Sequence, residues 1–245
     1  MKLVAMIPAR WASTRFPGKP LVSILGRPMI EHVYRRSLTI PGVDEVLVAT
    51  DSQEIQRTVT EFGGRVVLTG SHHLSGSDRL AEACDLLNLA DEDIVLNIQG
   101  DQPAFDPDQP ALLAQPLRDD PTLEMATLVL PLTNPEDIHN PNHVKVAFSR
   151  DHLALYFSRA PIPWPRDGEE EYYKHIGIYA YRAGFLRRFV TLPEGRLERI
   201  ERLEQLRALE NGARIKVVIA SGLSPEVDVP ADVQAAEDAL RLEDN

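Results

Sequence analysis

Two absences narrow the classes of protein to which this chain can belong. Cys84 is the one cysteine among 245 residues, so an internal disulfide and a multi-cysteine metal site are excluded. Because Cys84 lies on the apolar face of a predicted helix, we expect a buried, structural thiol. No apolar run approaches the roughly 20 residues that a membrane-spanning helix needs. The N-terminal apolar segment is too short for the core of a signal peptide, so we expect a cytoplasmic protein without membrane insertion.

An excess of positive charge is missing as well. The chain has 26 Lys and Arg against 37 Asp and Glu, which gives a formal net charge of −11. A general nucleic-acid-binding protein presents a basic surface, so no nucleic-acid partner is expected. The first 40 residues differ, because they hold seven basic side chains and one acidic side chain. This local excess favours a site for a small anion, with ordinary variation in surface charge as the alternative.

Apolar runs of strand length alternate with amphipathic segments in the first half of the chain. Continuous apolar strands of this kind are typical of a parallel sheet that helices cover on both faces. The pattern therefore predicts an α/β fold with a mostly parallel sheet. The predicted strands are 3–7, 45–50, 65–69 and 93–98, and the predicted helices are 28–40, 53–62 and 77–89.

Strand-like segments dominate after about residue 120. No linker separates the two halves, so we predict a single domain over 1–245 with a smaller strand-rich part around 124–190. The predicted strands in this half are 124–132, 144–149, 153–158, 175–181 and 215–220, and the predicted helices are 183–191, 198–211 and 230–242.

The loop that follows the first strand carries three cations, Arg10, Arg15 and Lys19. A loop in this position leaves the carboxyl end of a parallel strand, where open α/β sheets bind ligands. Gly18 permits close approach of the backbone, and the small residues at 12–14 leave amide groups available to phosphate oxygens. These features favour phosphate binding over a simple Pro-Gly turn. The loop lacks both the P-loop spacing and the glycine fingerprint of dinucleotide-binding folds, which disfavours a nicotinamide-dependent dehydrogenase.

The same loop (10–20, reading Arg-x-x-Ser-Thr-Arg-x-Pro-Gly-Lys-Pro) resembles the signature loop of the sugar-nucleotide cytidylyltransferases. Six further motifs sharpen the resemblance, and together they span essentially the whole chain. In this order they resemble the 3-deoxy-manno-octulosonate (Kdo) cytidylyltransferase family. The motifs lie at 75–79, 97–103, 156–163, 174–179, 203–207 and 227–230.

The resemblance implies a fold and a reaction. The fold would be a Rossmann-like, GT-A-like nucleotidyltransferase with a mixed, mostly parallel sheet flanked by helices and a smaller strand-rich subdomain. The reaction would join CTP and Kdo, with Mg²⁺ as cofactor, to give CMP-Kdo and pyrophosphate for lipopolysaccharide biosynthesis. The anomeric hydroxyl of the sugar would attack the α-phosphorus in line with the departing pyrophosphate, which asks the protein mainly for positioning and charge neutralisation. The resemblance also implies a homodimer.

The matching motifs carry roles for individual residues. Asp101 and Asp228 are expected to bind Mg²⁺, because each follows a predicted strand and Mg²⁺ prefers one or two carboxylates with phosphate oxygens. With Lys19 and Arg10, which would neutralise the triphosphate, they complete the predicted catalytic set. For Asp78, a role at the start of a helix is an equal alternative to nucleotide binding. The predicted nucleotide-binding residues are Ala9, Arg10, Arg15, Lys19, Ser75, Gly76, Asp78, Arg79 and Gln99.

A sugar acid with many hydroxyls needs a cation for its carboxylate and polar groups for its hydroxyls. The strand period of two places His175, Gly177 and Tyr179 on one face, and the glycine leaves room for a ligand between the polar groups. Core positions for His175 and Tyr179, and a solvated helix face for Glu204 and Gln205, are the structural alternatives. By the resemblance, the sugar-binding residues are Arg159, His175, Tyr179, Glu204 and Gln205.

Two positions depart from the family pattern, and they leave other functions to consider. Gln102 stands where the family often has Glu, and Val229 stands where it usually has Thr. The first departure removes a charge, and the second removes a hydroxyl that would support the turn or the surroundings of the metal. An 8-amino-8-deoxy analogue of Kdo is an equally compatible acceptor, whereas sialic acid matches the sugar-side motifs less well. A non-catalytic nucleotide-binding homologue is disfavoured because Lys19, Asp101 and Asp228 are all retained.

Overall fold

The computed structural model describes residues 1–11, 16–167, 171–222 and 225–243. Within these ranges the strands are β1 (Leu3–Ala9), β2 (Ser23–Ile24), β3 (Arg27–Pro28), β4 (Glu45–Thr50), β5 (Val66–Leu68), β6 (Ile94–Asn97), β7 (Met125–Leu132), β8 (Lys145–Phe148), β9 (Ala154–Ser158), β10 (Tyr172–Arg182) and β11 (Ile215–Ile219). The helices are α1 (Met29–Ser37), α2 (Gln53–Glu61), α3 (Gly76–Leu86), α4 (Asp108–Asp119), α5 (Pro135–His139), α6 (Ala183–Thr191), α7 (Arg196–Glu201), α8 (Gln205–Glu210) and α9 (Val233–Glu243). Lys19–Leu21 and Pro230–Asp232 form short 3-10 turns.

A sheet of mixed direction forms the centre of the molecule. Its main path runs in the order β11-β7-β10-β6-β1-β4-β5. The strands β6, β1, β4 and β5 run parallel to one another, as the alternation of strands and helices predicts. β10 runs antiparallel to both β6 and β7, and β11 runs parallel to β7. The predicted α/β class with a mixed, mostly parallel sheet is thereby confirmed.

The strands of the 124–190 part belong to the same sheet as the N-terminal strands. β7 and β10 lie in the main path, while β8 pairs with β10 and β9 pairs with β8. A second, small antiparallel sheet consists of β2 and β3. The strand-rich part therefore extends the central sheet and is directly hydrogen-bonded to the strands that carry the nucleotide motifs.

Helices cover both faces of the sheet, and a hydrophobic core lies on each face. In β1, Val4 and Met6 contribute to one core, and Leu3 and Ile7 contribute to the other. All four are fully buried, so a strand with a continuous apolar run packs into two cores at once. Cys84 is also fully buried, and its burial raises the pKa of the thiol to about 12, as expected for a structural cysteine.

The helices predicted from the sequence need correction in two respects. The predicted helix 198–211 is divided into α7 and α8, because Arg202 between them adopts a left-handed backbone conformation with φ of 56°. Ile200 belongs to the predicted apolar stripe of that helix but is 64% exposed. The sequence pattern predicted neither α4 nor α5, and α4 contains Pro110 in its first turn, where proline is tolerated, and Pro116 in its interior. In the described part of the chain, no helix is long and apolar enough to cross a bilayer.

Candidate active site

A cavity of about 290 Å³ opens at the carboxyl ends of β1 and β6, the position predicted for the ligand. The cavity brings together nine of the residues predicted to act in nucleotide binding or catalysis. Arg15 lies outside the described residues, together with the small residues at 12–14. The nine residues are Ala9, Arg10, Lys19, Ser75, Gly76, Arg79, Gln99, Asp101 and Asp228.

Lys19 lies between the two predicted metal ligands. Its Nζ donates to Asp101 Oδ2 at 2.8 Å and to Asp228 Oδ1 at 3.1 Å. The 3-10 turn that begins at Lys19 follows Gly18, whose φ of 69° is readily adopted by glycine. A Cβ at position 18 would lie 3.3 Å from the Trp11 indole, so this tryptophan packs against the turn. The turn thereby directs the ammonium group of Lys19 toward the two carboxylates.

Two hydrogen bonds join the segment that carries Asp101 to the segment that carries Asp228. Val227 N donates to Asp101 O at 2.9 Å, and Gln102 Nε2 donates to Glu226 Oε1 at 3.0 Å. Asp228 comes after β11 in the chain, as expected, but the described residues directly before it, 225–227, are not part of a strand. The backbone pairing brings the two carboxylates together instead. Gln102, which departs from the family pattern, is 3% exposed and supplies an uncharged partner for Glu226.

Asp232 supports the turn at the second departure, Val229. Its Oδ2 accepts hydrogen bonds from Asp228 N at 2.8 Å and from Val229 N at 2.9 Å. These backbone hydrogen bonds, that from Val229 first, lower the pKa of the Asp232 carboxyl. A carboxylate therefore holds the turn in this chain, and the hydroxyl that is missing at position 229 is not needed for that purpose.

The two carboxylates form a donor set that suits Mg²⁺. Mg²⁺ commonly takes one or two protein carboxylates and completes its coordination with phosphate oxygens and water. Among the residues that the structure describes, no group of three or more His, Cys, Asp or Glu converges, so a protein-only metal cage is absent there. Asp101 and Asp228 already share one cation, the ammonium group of Lys19. The pair can therefore hold a metal ion whose remaining ligands come from a bound nucleotide.

The N-terminus of α3 forms one wall of the cavity. Ser75 caps the helix by accepting from Asp78 N at 3.1 Å, and Asp78 Oδ2 accepts from Ser75 N at 3.0 Å. Asp78 thus adopts the helix-start role that the sequence left as an alternative, and it lines a neighbouring cavity. A Cβ at Gly76 would lie 3.4 Å from the Pro8 ring, so α3 packs closely on the end of β1.

The Arg79 guanidinium is buried behind this wall. Its Nη1 donates to Thr69 Oγ1 at 2.5 Å, and its Nη2 lies 3.4 Å from Asp51 Oδ1. The residue is 4% exposed, so Arg79 joins α3 to the ends of two strands while lining the cavity. This cation is already paired, and it therefore shapes the cavity more than it supplies free charge to it.

His73 lines the cavity and was missed by the sequence analysis. Its Nε2 hydrogen-bonds to Glu82 Oε2, which also accepts from Gly70 N at 2.8 Å. Burial acts to raise the pKa of the Glu82 carboxyl, but the hydrogen bonds from His73 and Gly70 outweigh it, and the pKa is lowered. Two adjacent histidines directly before a capped helix were the signal in the sequence. A carboxylate thus orients the imidazole at the wall of the nucleotide cavity.

Gln99 connects the cavity at the ends of β1 and β6 to β10. Its Nε2 donates to Gly177 O at 2.5 Å. A bulge in the pairing of β10 with β7 lies between Ile176 and Tyr179, and Thr127 Oγ1 donates to the carbonyl oxygens of Ile176 and Ile178 within it. Gly177 therefore lies between the two predicted polar residues of β10, but the rings of His175 and Tyr179 are 5.3 Å apart and leave no room for a ligand between them.

His175 and Tyr179 lie side by side on the predicted face of β10. Their rings are 5.3 Å apart, and Phe157 contacts the other side of the imidazole at 5.2 Å. Burial lowers the pKa of His175 to about 3 and raises the pKa of Tyr179 well above its ordinary value, so both are neutral near pH 7. His175 Nε2 is buried and has no hydrogen-bond partner among the described residues.

Glu204 and Gln205 both point inward at the start of α8, which excludes a solvated helix face. Glu204 Oε2 accepts from Ser77 Oγ at 2.8 Å, and burial raises the pKa of the Glu204 carboxyl. Gln205 is 6% exposed, and its Nε2 is buried without a partner in the described ranges. Asn97 Oδ1, on β6 beside β10, is likewise buried without a hydrogen-bond partner among the described residues. These two atoms and the Nε2 of His175 are all buried, and none of the three residues lines the cavity at the ends of β1 and β6 or the neighbouring cavity beside Asp78.

The Arg159 guanidinium makes its described contacts with backbone carbonyls. Its Nε donates to Glu201 O at 2.8 Å, and its Nη1 donates to Pro141 O at 3.0 Å. The backbone N–H of Arg159 donates to Glu201 Oε2 at 3.0 Å. Arg159 joins β9 to the end of α7, and the structure does not place it in the nucleotide cavity.

Comparisons with known proteins identify relatives over the full chain. A family model described as cytidylyltransferase matches residues 4–215. The chain is 52% identical over 241 residues to a 3-deoxy-manno-octulosonate cytidylyltransferase of Syntrophus aciditrophicus, covering 98% of this chain and 97% of the relative. It is 49% identical to an 8-amino-3,8-dideoxy-manno-octulosonate cytidylyltransferase of Shewanella amazonensis, covering 99% and 100%. A solved CMP:2-keto-3-deoxy-manno-octonic acid synthetase in complex with CTP matches with a TM-score of 0.94 and 43% identity, covering 99% and 100%.

Proposed function

Because the chain belongs to the cytidylyltransferase family, we propose that it transfers the CMP group of CTP to Kdo and releases pyrophosphate. The observation that carries this proposal is the convergence of Lys19 on Asp101 and Asp228 in a cavity that also contains Arg10. Relatives at 52% and 49% identity are named for Kdo and for its 8-amino analogue, so the acceptor is a sugar acid of this type. Activation of such a sugar would serve lipopolysaccharide biosynthesis.

The triphosphate of CTP binds in the cavity at the ends of β1 and β6. Arg10 and Lys19 supply positive charge there, and the N-terminus of α3 faces the same space. Mg²⁺ held by Asp101 and Asp228 would neutralise charge on the triphosphate as pyrophosphate leaves. The protein's own contribution is to fix the α-phosphorus against the incoming hydroxyl, because displacement at phosphorus depends mainly on positioning and charge.

The sugar binds on the β10 side of Gln99. A buried polar atom without a partner costs about 1–3 kcal/mol, and the hydroxyls of a bound sugar would satisfy such atoms. His175 Nε2, Gln205 Nε2 and Asn97 Oδ1 are three such atoms. A neutral imidazole at His175 suits this role, because a neutral ring nitrogen can donate or accept a hydrogen bond according to its tautomer. We assign Tyr179 and Glu204 to the same sugar-binding region, and the role of Arg159 toward the sugar carboxylate stays a prediction from the resemblance.

Three further properties belong to the proposal. The cofactor is Mg²⁺, which the paired carboxylates of Asp101 and Asp228 support. The protein acts as a homodimer, as the family resemblance implies. A non-catalytic role is disfavoured, because a site that had lost catalysis would have no need to retain Lys19, Asp101 and Asp228 together.

The experiment is a comparison of acceptors. Purified protein with CTP and Mg²⁺ receives Kdo, 8-amino-3,8-dideoxy-manno-octulosonate or sialic acid in parallel, and pyrophosphate release is recorded. We expect release with Kdo and little with sialic acid. Release confined to the 8-amino sugar would change the acceptor while preserving the reaction. A folded protein that releases no pyrophosphate with any of the three sugars would contradict the proposed function.

A further inference from the structure

The ammonium group of Lys19 lies at the point where the two predicted metal ligands converge. Nζ is 2.8 Å from Asp101 Oδ2 and 3.1 Å from Asp228 Oδ1. The Lys19 side chain is 14% exposed, against 28% and 40% for the two carboxylate side chains. In the free protein, a monovalent cation therefore bridges the pair and is more enclosed than either of its partners.

A divalent ion on the same carboxylates would compete with this ammonium group. Mg²⁺ binds carboxylate oxygens at about 2.0–2.1 Å, so an ion shared by both carboxylates would lie within a few ångströms of Nζ. Two cations at such a distance repel each other in proportion to the product of their charges. Binding of the metal therefore requires Nζ to leave its present position.

Among the described residues, the cavity lining offers the displaced ammonium group no other carboxylate, and the nearby Asp232 outside that lining already accepts hydrogen bonds from Asp228 N and Val229 N. Asp101 and Asp228 are the acidic side chains among the described residues that line the cavity. A bound triphosphate would bring new anionic oxygens into the same space, within the range of motion of a flexible four-carbon side chain. Lys19 thus gains an alternative anionic partner when nucleotide is bound. Without nucleotide, the described cavity lining offers Lys19 no carboxylate besides those of Asp101 and Asp228.

We propose that Lys19 is a placeholder for the metal. In the free protein it keeps the carboxylates of Asp101 and Asp228 together and opposes metal binding, and it transfers to the triphosphate when metal and nucleotide bind. This inference rests on the proposed function for the identity of the nucleotide and the metal. Its consequence is that metal and CTP bind interdependently, and that metal alone binds weakly to the free protein.

The test measures metal binding without nucleotide and without turnover. Mn²⁺, a paramagnetic substitute for Mg²⁺, is titrated into the free protein, and unbound Mn²⁺ is quantified by electron paramagnetic resonance. Lys19→Met retains most of the apolar stem and removes the charge. Lys2→Met removes one positive charge at an exposed position near the N-terminus and serves as the matched control. Circular dichroism and thermal melting show whether each variant is folded.

We expect Lys19→Met to bind Mn²⁺ at least about tenfold more tightly than the wild type, because the competing cation is gone. Lys2→Met should bind Mn²⁺ as the wild type does, and adding Asp101→Asn to Lys19→Met should abolish the gain. Equal or weaker binding by folded Lys19→Met would overturn the placeholder role. A gain that persists with Asp101→Asn would also overturn it, because the ion would then bind elsewhere. Pyrophosphate release by the wild type tests the proposed function separately.

A measurement on the unaltered protein gives an independent check. Acetylation of Lys19 by acetic anhydride, followed by peptide mass spectrometry, reports how accessible its amine is. The amine should be acetylated faster when Mn²⁺ alone saturates the protein, and slower again when CTP is also present. An acetylation rate of Lys19 that Mn²⁺ leaves unchanged would contradict the displacement.

Discussion

Three buried polar atoms without partners among the described residues lie on the elements proposed to bind the sugar. His175 Nε2, Gln205 Nε2 and Asn97 Oδ1 are buried and unpaired within the described residues. Apolar side chains at these positions would avoid a cost of about 1–3 kcal/mol for each unpaired group. We interpret this cost as stability that the protein would recover if these side chains rearranged to pair with a ligand.

His175 makes the pH dependence of stability a direct test of its burial. Its pKa is about 3 in the folded protein, whereas an unfolded histidine titrates near about 6.5. Below about pH 6.5 the imidazole in the unfolded chain therefore takes up a proton that the folded protein excludes. The free energy of unfolding decreases as the pH is lowered. Between pH 7 and pH 5, we expect the wild type to lose about 1–2 kcal/mol more than His175→Gln.

Urea unfolding of both proteins at the two pH values measures this difference. His139→Gln, at an exposed position in α5, is the control and should follow the wild type. If His175→Gln and the wild type lost the same free energy of unfolding between pH 7 and pH 5, the burial of a neutral His175 would be refuted.

At the scale of elements, the two metal-ligand segments are held together by a pair of hydrogen bonds. One is between backbone groups, and the other joins Gln102 to Glu226. The amide of Gln102 suits this position because a carboxylate at the buried position 102 would face the carboxylate of the exposed Glu226. The departure from the family's more common Glu is thus explained by the partner that this chain provides.

The hydrogen bond between Gln102 and Glu226 can be tested by substituting the two side chains singly and together. Gln102→Glu should destabilise the protein by about 1 kcal/mol or more, because two carboxylates then oppose each other. Gln102→Glu combined with Glu226→Gln restores an amide–carboxylate pair and should recover most of that loss. Thermal or urea unfolding of the two single variants, the double variant and the wild type gives the coupling energy. Strictly additive effects would show that the two side chains do not interact.

The break between α7 and α8 can be tested through Arg202. Its φ of 56° is a conformation that glycine adopts without strain. Arg202→Gly should therefore leave stability unchanged or raise it slightly. Arg199→Gly, within α7, should lower the free energy of unfolding by about 1 kcal/mol, the ordinary cost of glycine in a helix. Equal losses in both variants would favour the continuous helix that the sequence predicted.

At the scale of the whole molecule, the sequence predicts the sheet better than it predicts the site. The parallel direction of β6, β1, β4 and β5 follows from apolar runs that alternate with amphipathic helices, whereas their order in the sheet was not predicted. Lys19 is 82 residues from Asp101 and 209 residues from Asp228, and no local periodicity encodes contacts over such separations. The family resemblance supplied the roles of these residues but not the bridging position of the ammonium group. The sequence likewise does not predict the hydrogen bond between His73 and Glu82, because that contact depends on how α3 packs beside the 70–73 segment.

The most direct test of the account is a phosphorus NMR spectrum of CTP, Mg²⁺ and Kdo incubated with the protein. Transfer predicts a new phosphodiester signal from CMP-Kdo together with pyrophosphate. The same spectrum with folded Asp101→Asn should show at least about a hundredfold slower conversion, because a metal ligand is lost. CMP and pyrophosphate without the phosphodiester would indicate hydrolysis, and unchanged CTP with the wild-type protein would contradict the proposed transferase activity itself.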